Sequence, residues 1–393
     1  MNAAATAHPV PTATTSRSAA PAATGPRACG LAPPALAGSY LVVELTNRCS
    51  LRCVHCSVSD EGHAHHSRTG YLDPAMFYAL LDDLVQAGAH FDTLILFWLG
   101  EPLLHPHFGA LWRAALRVAS QHHTFGKVEV HTNGTHLTPA RAAAALNAAP
   151  VPQVWHLSLD AATRDTYLRV KGIDRMHQVD AHVEGLLRLR AERQAPQPRP
   201  VLQFIVGENN VQDIDPFLRR WEGLAAALRA PARRAAGHVP PGEDLVLFFR
   251  QKDCATAAEQ ERHNALFARE MHRLGLSLPP QAVQGAQVRA QNLSPCSGFW
   301  KSPVVSWQGE LTSCTRDNLL QNQVGDLRSG SFSSQWWGAA QRARRARVAE
   351  GDYADLPLCA SCFIPRSLNH TELQPEDIAA EAAFDQRLTA AGQ

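Results

Sequence analysis

Six short apolar runs rich in β-branched and aromatic residues recur along the chain, each bounded by turn residues. They are 40–46 (YLVVELT), 93–98 (TLILFW), 127–132 (KVEVHT), 154–159 (VWHLSL), 201–206 (VLQFIV) and 245–250 (LVLFFR). Between them apolar positions return at helical spacing over 74–88, 108–121, 139–148, 178–193 and 213–228. A strand followed by a helix, repeated down the chain, predicts an α/β protein with a parallel sheet and crossover helices, either doubly wound or curled into a barrel. In both arrangements ligands sit at the carboxyl ends of the strands. The segments directly after the strands are therefore where chemistry is expected. Residues 230–242, rich in Pro and Arg, read as an insertion, and 256–293 as a helical linker. Beyond it, 303–307 and 310–313 read as a small hairpin turning at Gly309, followed by a helix over 334–349. That is too little chain for an independent apolar core, so the unit needs a staple.

Composition narrows the picture. Ala, Pro, Thr and Ser dominate residues 1–38, and a disordered tail is expected there. Pro9, Pro11, Pro21 and Pro26 interrupt any apolar core of a leader peptide, which makes the expected location cytoplasmic. Lys plus Arg is 37 against 36 for Asp plus Glu, a net charge of +1 that gives no reason to expect a nucleic-acid partner. No apolar run approaches the ~18 residues of a spanning helix, so no membrane partner is expected either.

The nine cysteines carry most of the chemistry: Cys29, Cys49, Cys53, Cys56, Cys254, Cys296, Cys314, Cys359 and Cys362. An odd number without a secretion signal argues for metal or redox chemistry rather than a disulfide framework. Cys49, Cys53 and Cys56 form C-x3-C-x2-C directly after the first strand. This matches neither tetrahedral zinc, which wants four ligands, nor the C-x2-C-x2-C run of ferredoxins. Two readings stand: a zinc knuckle completed by His55, His63, His65 or His66, or three thiolates on a four-iron cluster with one iron open to an amino and a carboxylate group. Cys296, Cys314, Cys359 and Cys362 are a second set, and their spacing suits zinc and a fully ligated cluster equally. Cys29 falls in the tail, and Cys254 reads as a small buried thiol.

Four post-strand segments in order resemble the radical S-adenosylmethionine (SAM) superfamily. These are the cysteine loop, Leu99-Gly100-Glu101-Pro102, Thr132-Asn133-Gly134 and Ser158-Leu159-Asp160-Ala161, and the resemblance covers residues 39–365. The second segment is similar to the family's G-G-E-P, with Leu99 in place of the first Gly. The resemblance implies that Cys49, Cys53 and Cys56 hold a 4Fe–4S cluster whose open iron binds SAM. It further implies that Gly100, Glu101 and Pro102 receive the SAM amino group, with Thr132 and Asn133 beside them. Ser158 and Asp160 are implied near the carboxylate, and His55 stands where an aromatic residue lies beside adenine. Reductive cleavage of SAM to a 5′-deoxyadenosyl radical, fed by a one-electron donor such as flavodoxin or ferredoxin, is the implied activity.

Gly309-x4-Cys314, Asp317, Gly325-Asp326-Leu327 and the final C-x2-C resemble the SPASM and twitch family of auxiliary-cluster domains. A SPASM domain continues with further cysteines, and residues 363–393 contain none, which implies the twitch type with one auxiliary 4Fe–4S cluster. The implied architecture is a partial (β/α)6 TIM-like barrel over 39–255, a linker over 256–293, a cluster domain over 294–366 and a tail over 367–393. An auxiliary cluster beside the substrate implies a net two-electron oxidation. Arg250, at the end of the sixth strand near Lys252, is the candidate to orient substrate. A small molecule such as an amino sugar, cyclitol or other secondary metabolite is the expected substrate, since peptide-modifying relatives often carry a winged-helix domain that residues 1–38 cannot supply. A maturase of ribosomal peptides and a zinc-stapled binding protein are the alternatives. Arg342, Arg344, Arg345 and Arg347 are expected on a solvated helix face, with Trp336 and Trp337 under the cluster. The nineteen histidines suggest no second metal site.

Overall fold

The computed structural model describes residues 31–56, 59, 68–146, 151–254, 256–278, 295–362 and 373–391. Cys29, His63, His65, His66, residues 1–30 of the expected tail and 279–293 of the expected linker lie outside the described residues.

The strands are β1 (Tyr40–Val43), β2 (Phe91–Leu96), β3 (Phe125–Thr132), β4 (Gln153–Ser158), β5 (Arg199–Val206), β6 (Ala232–Ala236) and β7 (Leu245–Gln251). They pair in parallel in the order β1-β2-β3-β4-β5-β7-β6. Helices α1 (Pro74–Ala87), α2 (Phe108–His122), α3 (Pro139–Ala145), α4 (Arg164–Lys171), α5 (Met176–Glu192), α6 (Ile214–Ala227) and α7 (Ala257–Arg273) connect or follow them. The boundaries are local chemistry. Asp73 accepts a hydrogen bond from the Ala75 N–H, Pro74 opens α1, and Gly88 at φ 65° ends it. Alternate strand residues divide between two environments. Val128, Val130, Trp155, Leu157, Leu202, Phe204, Leu247 and Phe249 join the helix-side core. Val154, Val201, Val246 and Phe248 form a separate apolar cluster on the opposite, inner face. Each fully buried side chain of this size contributes roughly 1.5–3 kcal/mol. Among the described residues no helix is long and apolar enough to cross a membrane.

Strand β8 (Val304–Val305) pairs in parallel with β1, and β9 (Glu310–Thr312) returns antiparallel beside it, turning at Gly309 with φ 95°. β10 (Gly325–Asp326) closes this end of the sheet. The expected hairpin is thus an extension of the barrel sheet, added to the edge of the strand that carries the first cysteine loop.

Five expectations need correction. Residues 230–242 contain β6, an edge strand whose first three residues (Ala-Arg-Arg) are exposed and so show no apolar period. Residues 31–38 are not a free tail, because Leu36 is buried against Phe299, Trp300 and Val348. The C-terminal stretch forms helix Pro375–Ala390, which buries Phe384 and Leu388 and docks through Lys301–Asp377 and Arg345–Glu381, both at 2.6 Å. Arg345 is accordingly not solvated: it donates to the Phe299 carbonyl and lies over the Trp336 ring. Trp336 and Trp337 pack on Phe332 and Phe91, in the barrel core rather than under the cysteines.

Candidate active site

The first cysteine loop is held from three sides. The Arg52 and Val54 N–H groups donate to the carbonyls of Lys171 and Val170, each at 3.0 Å. Gly172, at φ 73°, lies so close that a Cβ there would overlap the Arg52 carbonyl. Gly100 abuts the loop's start, where a Cβ would overlap the Thr46 carbonyl and stand 2.7 Å from that of Arg48. Gly100 is therefore the glycine of Leu99-Gly100-Glu101-Pro102 that close approach demands, and Leu99 is tolerated because it packs beside Trp98 and Val304. Gly100→Ala is expected to cut SAM cleavage about 100-fold by displacing the loop roughly 1 Å, measured as 5′-deoxyadenosine release; unchanged turnover would contradict the contact.

Glu101 joins the second segment to the third. Its carboxylate accepts from the Leu103 N–H at 3.0 Å, Thr132 Oγ1 at 2.7 Å and the Asn133 N–H at 2.7 Å. Asn133 Nδ2 in turn donates to Cys49 Sγ at 3.7 Å and Ser50 Oγ at 3.2 Å. Burial pushes the Glu101 pKa up, and among the described residues no Lys or Arg pairs with it. Three neutral donors leave about one of its four acceptor positions open. That is a fit for an ammonium group.

Asp160 sits at φ 60° and is fully buried. It accepts from Lys171 Nζ at 2.5 Å, the Ile205 N–H at 2.6 Å and Ser158 Oγ at 3.2 Å. With these bonds made, Asp160 is a brace for the strand ends rather than a free cofactor ligand. His55 is half-buried beside the Asp160–Lys171 pair, and burial lowers its pKa to about 4, leaving a neutral ring. Arg250 pairs with Asp253 at 2.6 Å, half-exposed, at the end of β7.

Cys296, Cys314, Cys359 and Cys362 converge closely enough for each thiol to disfavour ionisation of its neighbours. Burial is the larger cause and pushes Cys314 up to about 11 and Cys359 to about 12; in the first loop burial likewise pushes Cys49 up to about 12. Asn322 Nδ2 donates to Cys359 Sγ at 3.1 Å, and the Tyr353 hydroxyl accepts from the Cys296 N–H at 3.0 Å. The stretch after Cys314 is tied to the segments that follow β2 and β7. Trp98 Nε1 donates to the Thr315 carbonyl at 2.9 Å, and Arg316 Nη2 to the Cys254 carbonyl at 2.8 Å.

Buried thiols with raised pKa and thiol neighbours need a metal to become thiolates. Four sulfurs around one zinc, with Zn–S near 2.3 Å, would lie about 3.8 Å apart. Among the described residues no three cysteine sulfurs come within 4.8 Å of one another.

Residues 43–219 match the family model of the radical SAM superfamily. These residues form a radical SAM domain. Such a domain takes SAM and a 4Fe–4S cluster as cofactors, and the donor sets above fit both. Mycofactocin maturase MftC of Mycobacterium ulcerans (strain Agy99) is 29% identical over 326 residues, covering 82% of this chain and 79% of that protein. The MftC of Mycobacterium tuberculosis (strain CDC 1551 / Oshkosh) is 28% identical over 302 residues, 75% and 69% of the two chains. In fold, the chain is similar to anSMEcpe with bound AdoMet, at TM-score 0.52 and 12% identity over 91% of this chain and 95% of that one. It is also similar to Streptococcus suis SuiB bound to S-adenosylmethionine, at TM-score 0.51 and 12% identity over 78% and 67%.

The structure thus brings Cys49, Gly100, Glu101, Pro102, Thr132 and Asn133 into one bonded group at the strand ends, with Ser158, Asp160 and His55 around Lys171. Arg250 makes no bond to this group. Sequence reasoning missed Lys171, Gly172, Trp98 and Arg316. Gly172 ends α4 as a left-handed cap, a signal present in the sequence; the other three act through contacts far along the chain.

Proposed function

We propose that this radical SAM enzyme is a maturase that modifies a peptide by net oxidation, with an auxiliary cluster as electron acceptor. The similarity to mycofactocin maturases carries the peptide reading, because its 326 residues run well beyond the 43–219 domain. It outweighs the small-molecule substrate expected from the sequence. Two neighbours of the same fold hold peptides: SuiB bound to precursor peptide SuiA and anSMEcpe with Cp18Cys peptide, each at TM-score 0.51.

Cys49, Cys53 and Cys56 would hold the SAM cluster, and Cys296, Cys314, Cys359 and Cys362 the auxiliary one in a twitch-like unit. When bound, SAM and its cluster supply hydrogen-atom abstraction from the substrate. Glu101 receives the amino group, Thr132 and Asn133 hold the Glu101 carboxylate in place, and Ser158 lies by the carboxylate end. Gly100 and Pro102 fix the backbone approach, and His55 offers a neutral ring to the adenine. The bonds from Trp98 and Cys254 to the Thr315–Arg316 stretch keep Cys314 against the barrel opening, where an electron leaving the substrate has a short path.

The test is anaerobic turnover with SAM, a one-electron donor and short peptides encoded beside the gene. A peptide-dependent rise in 5′-deoxyadenosine with a mass change in the peptide supports the reading; stimulation by amino sugars or cyclitols and not by peptides would overturn it. Cys314→Ala with Cys359→Ala is expected to remove about four irons per chain, keep SAM cleavage and lose the oxidised product, measured by iron analysis and mass spectrometry.

A further inference from the structure

Inside the barrel three side chains converge. Val128 and Val130 face the helices, so Lys127, Glu129 and His131 on β3 turn inward. His131 is the register partner of His156 on β4, and their ring centroids lie 4.2 Å apart. Phe97 stacks on His131, and Phe248 meets His156 edge-on. Glu129 Oε2 stands 3.3 Å from His131 Nε2 and 3.7 Å from His156 Nε2, while Lys127 Nζ holds the other oxygen at 2.7 Å.

Charge-assisted hydrogen bonds to a carboxylate run near 2.7–2.9 Å. The His131 hydrogen bond at 3.3 Å is longer than that and the His156 contact at 3.7 Å lies beyond a hydrogen bond; the two bracket the edge of about 3.4 Å that donors share around one ion at 2.0–2.1 Å. His156 Nε2, the ring nitrogen that faces Glu129, thus stands beyond hydrogen-bond distance of it, in a side chain only 9% exposed. Among the described residues this is the only group of three His, Cys, Asp or Glu with all its ligand atoms within 4.8 Å.

We propose that Glu129, His131 and His156 bind one divalent transition-metal ion of the imidazole–carboxylate class. Two imidazole nitrogens and one carboxylate oxygen suit zinc, manganese or iron(II), and the absence of thiolate separates this site from the cysteines. Lys127 holds Oε1, which leaves Oε2, hydrogen-bonded to His131 in this structure, as the oxygen that would face the ion. The scattered histidines hide the site, because positions 131 and 156 meet only through strand register.

The test is Mn(II) titration of the reconstituted full-length protein followed by EPR, in which bound ion loses the sharp free-ion signal. It is paired with zinc content after dialysis against buffered zinc. One ion per chain that weakens at least about tenfold in Glu129→Gln and in His156→Ala, and persists when Cys49, Cys53 and Cys56 are alanine, is the expected result. Glu129→Gln keeps the side-chain shape, so its melting temperature separates ligand loss from misfolding. The proposal is overturned if folded Glu129→Gln holds either ion as the wild type does, or if the wild type binds neither in excess of that variant.

Discussion

Replacing Cys49, Cys53 and Cys56 together by alanine is expected to lower the iron of the reconstituted protein from about eight to about four per chain and to abolish SAM cleavage. The remaining irons would belong to the second set, which shares no backbone segment with the first. The loop itself keeps its course without the thiols. Its anchors are the Arg52 and Val54 N–H bonds to α4, the Asn47 bond to the Gly70 N–H and the Gly100 contact, none of which uses sulfur. Iron and sulfide analysis, EPR of the reduced protein and 5′-deoxyadenosine release read the outcome. Zinc in place of iron, or about four irons untouched by the triple change, would remove the radical mechanism and leave a metal-stapled binding protein.

Strand-by-strand patterning was enough to reveal a parallel sheet with crossover helices, because β2, β4, β5 and β7 stand out against their turns; that it curls into a barrel came from the resemblance alone. β6 escaped for the opposite reason: an edge strand reading ARRAA gains its hydrogen bonds from β7 without an apolar period of its own. The cysteine loop and the segments after β2, β3 and β4 were legible as short motifs, since each needs particular residues at fixed offsets. Roles within them were less so. Asp160 read as a cofactor contact, yet its bonds go to Lys171, Ser158 and the β5 backbone, and Lys171 lies eleven residues on, at the end of a helix whose pattern looks ordinary. Arg345 read as solvated because its partner Glu381 lies on a helix that the local pattern near Arg345 cannot place. Long-range pairing hid all of these, the two inward histidines included.

Lys171→Met is expected to destabilise the protein by about 3–5 kcal/mol at neutral pH, because it strands a buried carboxylate. The pair is wholly enclosed: side-chain exposure is 1% for Lys171 and 0% for Asp160. Asp160 opposes its own desolvation through the Lys171 charge, the neighbouring His55 and the Ile205 N–H, and its pKa falls below the carboxylate range. Lys171 is desolvated too, yet Asp160 and Cys53 raise its pKa above the usual value. The sign of the pH dependence follows. A depressed carboxylate contributes stability above its unfolded pKa near 3.9 that is lost as pH falls through the folded value. A raised lysine contributes below its unfolded pKa near 10.4 and loses that contribution only as pH rises through the folded value. The wild-type pair is therefore flat in stability from about pH 4 to 10. In Lys171→Met the unpaired Asp160 pKa moves up instead, so the variant gains stability as pH is lowered from 7 towards 4. Adding Asp160→Asn removes the stranded charge while keeping an acceptor for the Ile205 N–H, and recovers most of the loss. Urea midpoints across that pH range separate the cases, and a variant with wild-type midpoints would show that the pair carries no net stability. Because the Lys171 carbonyl also holds the Arg52 N–H, iron retention by the first cysteine loop should fall with the midpoint, tying the brace under β4 to the cluster above it.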